Sequence, residues 1–152
     1  MAVDTCTTIF YVDDDEDDRM FFEEVTQQIG EKISLFEFGD QMLLQLENPP
    51  PYPSVIFVDL NMPIKDGFEV LQEIKKAENL KNIPVIILST TNNSDTVNRC
   101  LDLGASLYVQ KSISLKDLKK SLEYVISIDW QSHVVTKNNF FTSEKIYSLY
   151  KR

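Results

Sequence analysis

Short runs of β-branched and aromatic residues recur along the chain, at Thr8–Val12, Ile33–Phe38, Val55–Asp59, Val85–Ser89 and Ser106–Gln110. Val55–Val58 and Val85–Leu88 are apolar at every position. A strand with water on one face alternates polar and apolar residues, so these continuous runs predict strands covered on both faces, as in a parallel sheet. Between the runs, apolar residues recur at helical spacing. Phe22, Val25, Thr26 and Ile29 make one stripe, Leu71 and Ile74 another, and Val97, Leu101, Leu115, Leu118, Leu122 and Val125 continue the pattern in two later segments. Asp66-Gly67 opens the third helix with a capping residue, and Gly104 stands where a helix would end in a left-handed turn. Pro84 precedes a strand and Pro63 follows one, so neither interrupts an element. The pattern is strand–helix five times over. Right-handed crossovers make this an α/β, flavodoxin-like fold: a doubly wound five-stranded parallel sheet in the order 2-1-3-4-5.

That core spans residues 1–128 and leaves a C-terminal extension, 129–152. The extension holds Trp130, Phe140, Phe141, Tyr147 and Tyr150, more aromatics than a disordered tail carries. Ser143 followed by Glu144 predicts a short helix there, with Ile146, Leu149 and Tyr150 on one face. The extension is expected to pack on the core or on a neighbouring copy, which makes a homodimer one reading.

The chain has 152 residues, 43% of them hydrophobic and 26% charged, as in an ordinary globular domain. No stretch approaches the ~20 apolar residues of a membrane span, and Met1–Tyr11 lacks the basic start of a signal peptide. Cys6 and Cys100 have neither disulfide-scaffold numbers nor metal-ligand spacing. These features point to the cytoplasm. A net charge of −9 makes nucleic acid and anionic lipid poor partners. The charge is uneven, with six consecutive acids from Asp13 to Asp18, while the extension carries four bases against two acids. Pro49–Tyr52 reads as a stiff connection into the third strand, and His133 has no metal partner near it in sequence.

A doubly wound sheet binds ligands beyond the carboxyl ends of its strands, where strand order reverses. Here that point lies between the first and third strands, which end in Val12-Asp13-Asp14 and Val58-Asp59. Three carboxylates so placed repel one another unless some protonate or a cation joins them. Mg²⁺ suits a site of few carboxylates, several waters and a phosphate. The fourth strand ends at Ser89-Thr90, offering a hydroxyl and backbone N–H groups, and the fifth ends at Lys111. Acids with a metal, a hydroxyl and a lysine can hold a phosphoryl group in line with an attacking carboxylate. In that scheme the metal and Lys111 neutralise the equatorial oxygens and Ser89 donates to one of them. Asp15–Asp18 read as a solvated first helical turn, which favours the helix dipole.

The sequence resembles bacterial two-component receiver domains in Val12-Asp13-Asp14, Asp59-Leu-Asn-Met-Pro63, Asp66-Gly67, Leu88-Ser89-Thr90 and Tyr108-Val-Gln-Lys111. The likeness covers roughly residues 7–128, and five motifs in register are far more specific than any one. It implies a stand-alone, chemotaxis-regulator-like response regulator that is not an enzyme and takes part in a phosphorelay. Asp59 would be the phosphoacceptor. Asp13, Asp14, Asp59 and the backbone carbonyl of Asn61 would hold Mg²⁺. Ser89, Thr90 and Lys111 would bind the phosphoryl group. Ser89 and Tyr108 would form the switch, with Tyr108 turning inward once the hydroxyl shifts. Asn61 and Thr91 stand at the two positions that tune dephosphorylation. The donor would be a histidine kinase or a histidine phosphotransfer protein, and output would pass by contact with another protein.

One departure is Lys111-Ser112, where the family usually has Lys-Pro with a cis bond. A cis bond before serine costs ~2.5–4 kcal/mol, so a trans bond is expected here. Three rivals carry less. An aspartyl-nucleophile phosphatase would need an acid where Asn61 stands, and a flavin module needs a neutral loop in place of Asp13–Asp18. A receiver-shaped module that is never phosphorylated usually lacks an acid or the lysine, and all are present.

Overall fold

The first strand shows how one stretch of sequence serves two cores. In a computed structural model describing residues 8–47, 55–112 and 114–142, β1 (Thr8–Val12) turns Ile9 and Tyr11 to one side and Phe10 and Val12 to the other. This is the period-two alternation of any strand. Both faces are apolar because both are covered. β2 (Lys32–Phe36) and β3 (Val55–Asp59) flank β1, and β4 (Val85–Ser89) and β5 (Leu107–Gln110) follow β3, all parallel. The order 2-1-3-4-5 is the expected one.

Helices α1 (Glu16–Ile29) and α5 (Leu115–Ser127) cover one face; α2 (Gly39–Glu47), α3 (Gly67–Lys76) and α4 (Ser94–Asp102) cover the other. On the first face Phe22 of α1 stacks on Tyr11 at 4.1 Å and meets Phe57 edge-on at 5.1 Å. On the second, Met42, Leu71, Ile74 and Cys100 close over Phe10, Val12 and Val58. Each side chain buried in this way contributes roughly 2 kcal/mol. The punctuation holds as expected: Asp66 caps α3 by accepting from the Glu69 N–H at 3.0 Å, and Gly104 has φ +97° just past α4. The second strand is displaced by two residues at its end, because Glu37 and Phe38 bend away to bond Gln41 of α2.

The extension adds something that periodicity did not show. Phe141–Thr142 form a sixth strand, β6, parallel to β5, with Tyr108 opposite Phe141 and Val109 opposite Thr142. Among the described residues the sheet therefore runs 2-1-3-4-5-6, the five expected strands with a sixth added at the edge by the extension. Phe140 is buried in the α2–α3–α4 core, and the Trp130 indole donates to the Val125 carbonyl at 3.2 Å on the opposite side. The helix expected at Ser143-Glu144 and the Pro49–Tyr52 connection lie outside the described residues, as does Cys6. Among the described residues no peptide bond is cis, so Lys111–Ser112 is trans as expected, and no helix is long and apolar enough to cross a membrane.

The loop after β3 holds an unusual turn. Ile64 has φ +70°, and the Lys65 N–H bonds the Pro63 carbonyl at 2.8 Å across it, which is a γ-turn of the strained hand. A β-branched residue rarely adopts this conformation, and Ile64 is 90% exposed, so burial offers little in return. Ile64→Gly should raise stability by about 1 kcal/mol, relief of strain exceeding the extra freedom of the unfolded chain. Urea denaturation measures it, and a less stable variant would mean the turn is unstrained.

Candidate functional site

Four strand ends bring the predicted residues to one end of the sheet. Asp13 follows β1 and is fully buried; Asp59 ends β3 and is nearly so; Asp14 stands less covered beside them. One carboxylate oxygen of each lies within 4.8 Å of the others, a spacing that a single cation can bridge. Lys111 reaches in from the end of β5, its Nζ 2.8 Å from Asp13 Oδ2 and 3.0 Å from Asp59 Oδ1.

Lys111 has a third partner, Asp18 Oδ2, also at 2.8 Å. Asp18 is thus not one of the solvated acids expected of that first helical turn: it is partly buried against Lys111. Asp15 caps α1 by accepting from the Asp18 N–H at 2.9 Å, which sets the first turn so that Asp18 faces the end of β5. Tyr11 was also missed: its hydroxyl donates to Asp13 Oδ2 in a very short bond. Period two along β1 puts Tyr11 and Asp13 on one side of the strand, which was the available signal. Arg19 Nη1 adds a bond to the Asp13 carbonyl at 2.7 Å.

One ammonium cannot neutralise so many carboxylates. Burial, reinforced by Asp13 and Asp14 against the pull of Lys111, pushes Asp59 up to about 7. Burial works against the Lys111 ammonium too, yet Asp59 and Asp13 outweigh it and hold its pKa above the usual lysine value. Burial likewise raises Asp18 in spite of Lys111, and burial and Asp13 hold the Tyr11 hydroxyl well above its ordinary range. The site is a cluster with surplus negative charge, the condition under which a hard divalent cation binds.

The fourth strand supplies its part at the same end. Ser89 is fully buried, its carbonyl accepts from the Lys111 N–H at 2.7 Å, and its Oγ accepts from the Thr91 N–H at 3.3 Å. Thr90 is exposed, with its carbonyl taking a bond from Gln110 Nε2 at 3.4 Å. Asn61 is exposed in the loop after β3. Tyr108 was expected to turn inward only on activation. Here its ring is already fully buried, and its hydroxyl donates to the Thr91 carbonyl at 3.0 Å.

A family model for the response regulator receiver domain matches residues 9–123. The response regulator Rcp1 of Synechocystis sp. is 36% identical over 126 residues, covering 78% of this chain and 86% of that protein. The two-component response regulator ARR17 of Arabidopsis thaliana is 34% identical over 122 residues, 74% of this chain and 80% of its own. Among solved structures, the Mn²⁺-bound form of Rcp1 superposes with a TM-score of 0.71 at 32% identity, covering 86% of this chain and 99% of that one. The phosphorylated cyanobacterial phytochrome response regulator RcpA superposes with a TM-score of 0.72 at 31% identity, covering 86% and 98%.

Proposed function

Because the chain belongs to the response-regulator receiver family, we propose that it receives a phosphoryl group on Asp59 from a histidine kinase or a histidine phosphotransfer protein. The observation that carries this is the cluster of Asp13, Asp14 and Asp59 with Lys111 in contact with Asp59. Asp13, Asp14, Asp59 and the Asn61 carbonyl would hold Mg²⁺, whose charge, when bound, keeps Asp59 ionised and offsets the charge of the arriving phosphoryl oxygens. An Asp59 carboxylate oxygen attacks phosphorus as the bond to the donor nitrogen breaks, and the released imidazole takes up a proton. Lys111 follows the new oxygens, and the Ser89 hydroxyl and the backbone at Thr90 donate to them. Asn61 and Thr91 would tune the lifetime of the acyl phosphate through the access they leave to water. The role is signalling by contact with an output protein, not turnover. Phe21, exposed on α1, lines a pocket together with Asp18 and Lys111, an apolar rim that suits a protein donor.

Intact mass after incubation with Mg²⁺ and acetyl phosphate tests this reading. One added phosphoryl group is expected, and none with excess chelator. Equal labelling under both conditions would remove the metal from the scheme, and no labelling would remove the function.

A second expectation concerns Lys111. Lys111→Met keeps most of the apolar stem and removes the charge that competes with a metal for Asp13 and Asp59. Mg²⁺ should then bind roughly tenfold more tightly, since one positive charge a few ångströms away costs on the order of 1–3 kcal/mol at a protein surface. Titration calorimetry reads this directly, and weaker Mg²⁺ binding would mean that Lys111 organises the acids.

A further inference from the structure

Tyr108 is held from both sides. On the pocket side its hydroxyl bonds the Thr91 carbonyl at 3.0 Å, and the Thr91 N–H bonds Ser89 Oγ at 3.3 Å. On the other side stands the extension. The Phe141 ring lies 5.7 Å from the Tyr108 ring and the Phe140 ring 6.4 Å from it. The Tyr108 N–H donates to the Phe140 carbonyl at 2.9 Å, and Thr142 Oγ1 donates to the Tyr108 carbonyl at 3.4 Å.

From this chain of contacts we infer that Phe140–Thr142 is a positioning segment for phosphoryl binding, acting through Tyr108 on the loop that carries Ser89, Thr90 and Thr91. The inference rests on the reading of Asp59 as the phosphoacceptor. Residues 90–93 join β4 to α4 as a short, largely exposed loop. Apart from the cap of α4, four bonds pin it among the described residues: Tyr108 to Thr91, Thr91 to Ser89, Gln110 to Thr90, and within the loop the Asn93 N–H to Thr91 Oγ1. A tyrosine stays inward when its ring is covered and its hydroxyl has a partner. β6 covers the open side of that ring, so the Tyr108 hydroxyl stays on Thr91 and the donors of the loop remain in place. Donors held before the ligand arrives spare the ordering cost at binding. The acids that would hold the metal sit at the ends of β1 and β3, and the metal-binding step is independent of this loop.

The predicted signature is therefore a split. In the full chain, Phe141→Ala should weaken binding of beryllofluoride, measured by calorimetry in saturating Mg²⁺, by roughly five- to tenfold. The affinity for Mg²⁺ alone should not change, and Phe141→Leu should restore much of the loss. Phe141 is only partly buried, which favours a folded variant; Thr142→Val, which keeps shape and removes the bond to Tyr108, is the second probe. Equal beryllofluoride affinity in whichever variant folds overturns the inference. A parallel loss of Mg²⁺ and beryllofluoride binding also overturns it, since that marks a general loosening. Failure of the unaltered chain to bind beryllofluoride would instead overturn the proposed function.

Discussion

Asn in place of Asp59 should abolish phosphoryl labelling and, in the same protein, raise stability above neutral pH. The first effect follows from removing the attacking oxygen. The second follows from burial, which with Asp13 and Asp14 raises Asp59 to about 7 in the folded chain. An unfolded aspartate ionises near pH ~4. Between those values the folded state binds more protons than the unfolded one, so stability falls as pH rises through the window and stays lowered above it. Asn carries no such penalty, and Lys111 keeps Asp13 and Asp18 as partners. Without divalent metal the variant should gain little at pH 5 and on the order of a few kcal/mol at pH 8. Mg²⁺ should reverse the ranking by stabilising the parent chain more strongly. Urea titrations at the two pH values, with and without Mg²⁺, would show it. A gap that narrows toward alkaline pH would contradict the charge argument.

Gly67→Ala should be among the most damaging single-methyl changes in the molecule. A Cβ there would lie 2.4 Å from the Asp59 carbonyl oxygen and 2.7 Å from Leu60 Cα. Both are backbone atoms, so no rotamer relieves the clash; α3 must back away from the end of β3. The bond from the Gly67 N–H to the Leu60 carbonyl, 3.0 Å, would be strained with it. A loss of roughly 2–4 kcal/mol is expected. Mg²⁺ affinity should fall as well, because Asp59 and Asn61 belong to the displaced backbone. Gly30→Ala is the control: φ is +85° but nothing lies within 4 Å, so only ~1–2 kcal/mol of left-handed strain is at stake and metal binding should not change. Equal effects at both glycines would show that the contact with β3 has no special weight.

Much of this arrangement was legible in the residues. Val55–Val58 and Val85–Leu88 are apolar throughout because helices cover both faces, and that alone implied a parallel sheet. Strand ends at a reversal of order then brought Asp13, Asp59, Ser89 and Lys111 together before any geometry was known. What escaped has a common cause. Asp18 lies in a run of acids whose neighbours do face water, and nothing in a periodic pattern marks the one that a lysine ninety-three residues away will meet. Tyr11 looked like core, and it is core, with a hydroxyl at the edge of the site. β6 is two residues long, too short for alternation to register. Its burial was foreshadowed only by the density of aromatics in the extension. The conformation of Ile64 is visible in no residue type, since isoleucine argues against it.

The position of β6 also bears on how the chain behaves while incomplete. β5 becomes an outer strand whenever the last residues are missing, and the Tyr108 N–H and carbonyl that now meet Phe140 and Thr142 would face water. A bare, apolar parallel edge is a template for pairing with other chains. Every nascent or proteolysed form that contains β5 but stops short of Phe140 carries that adhesive edge, and a chain that includes the pair covers it with a strand too brief to recruit another. Colloidal behaviour should therefore change abruptly between chains ending before and after this pair.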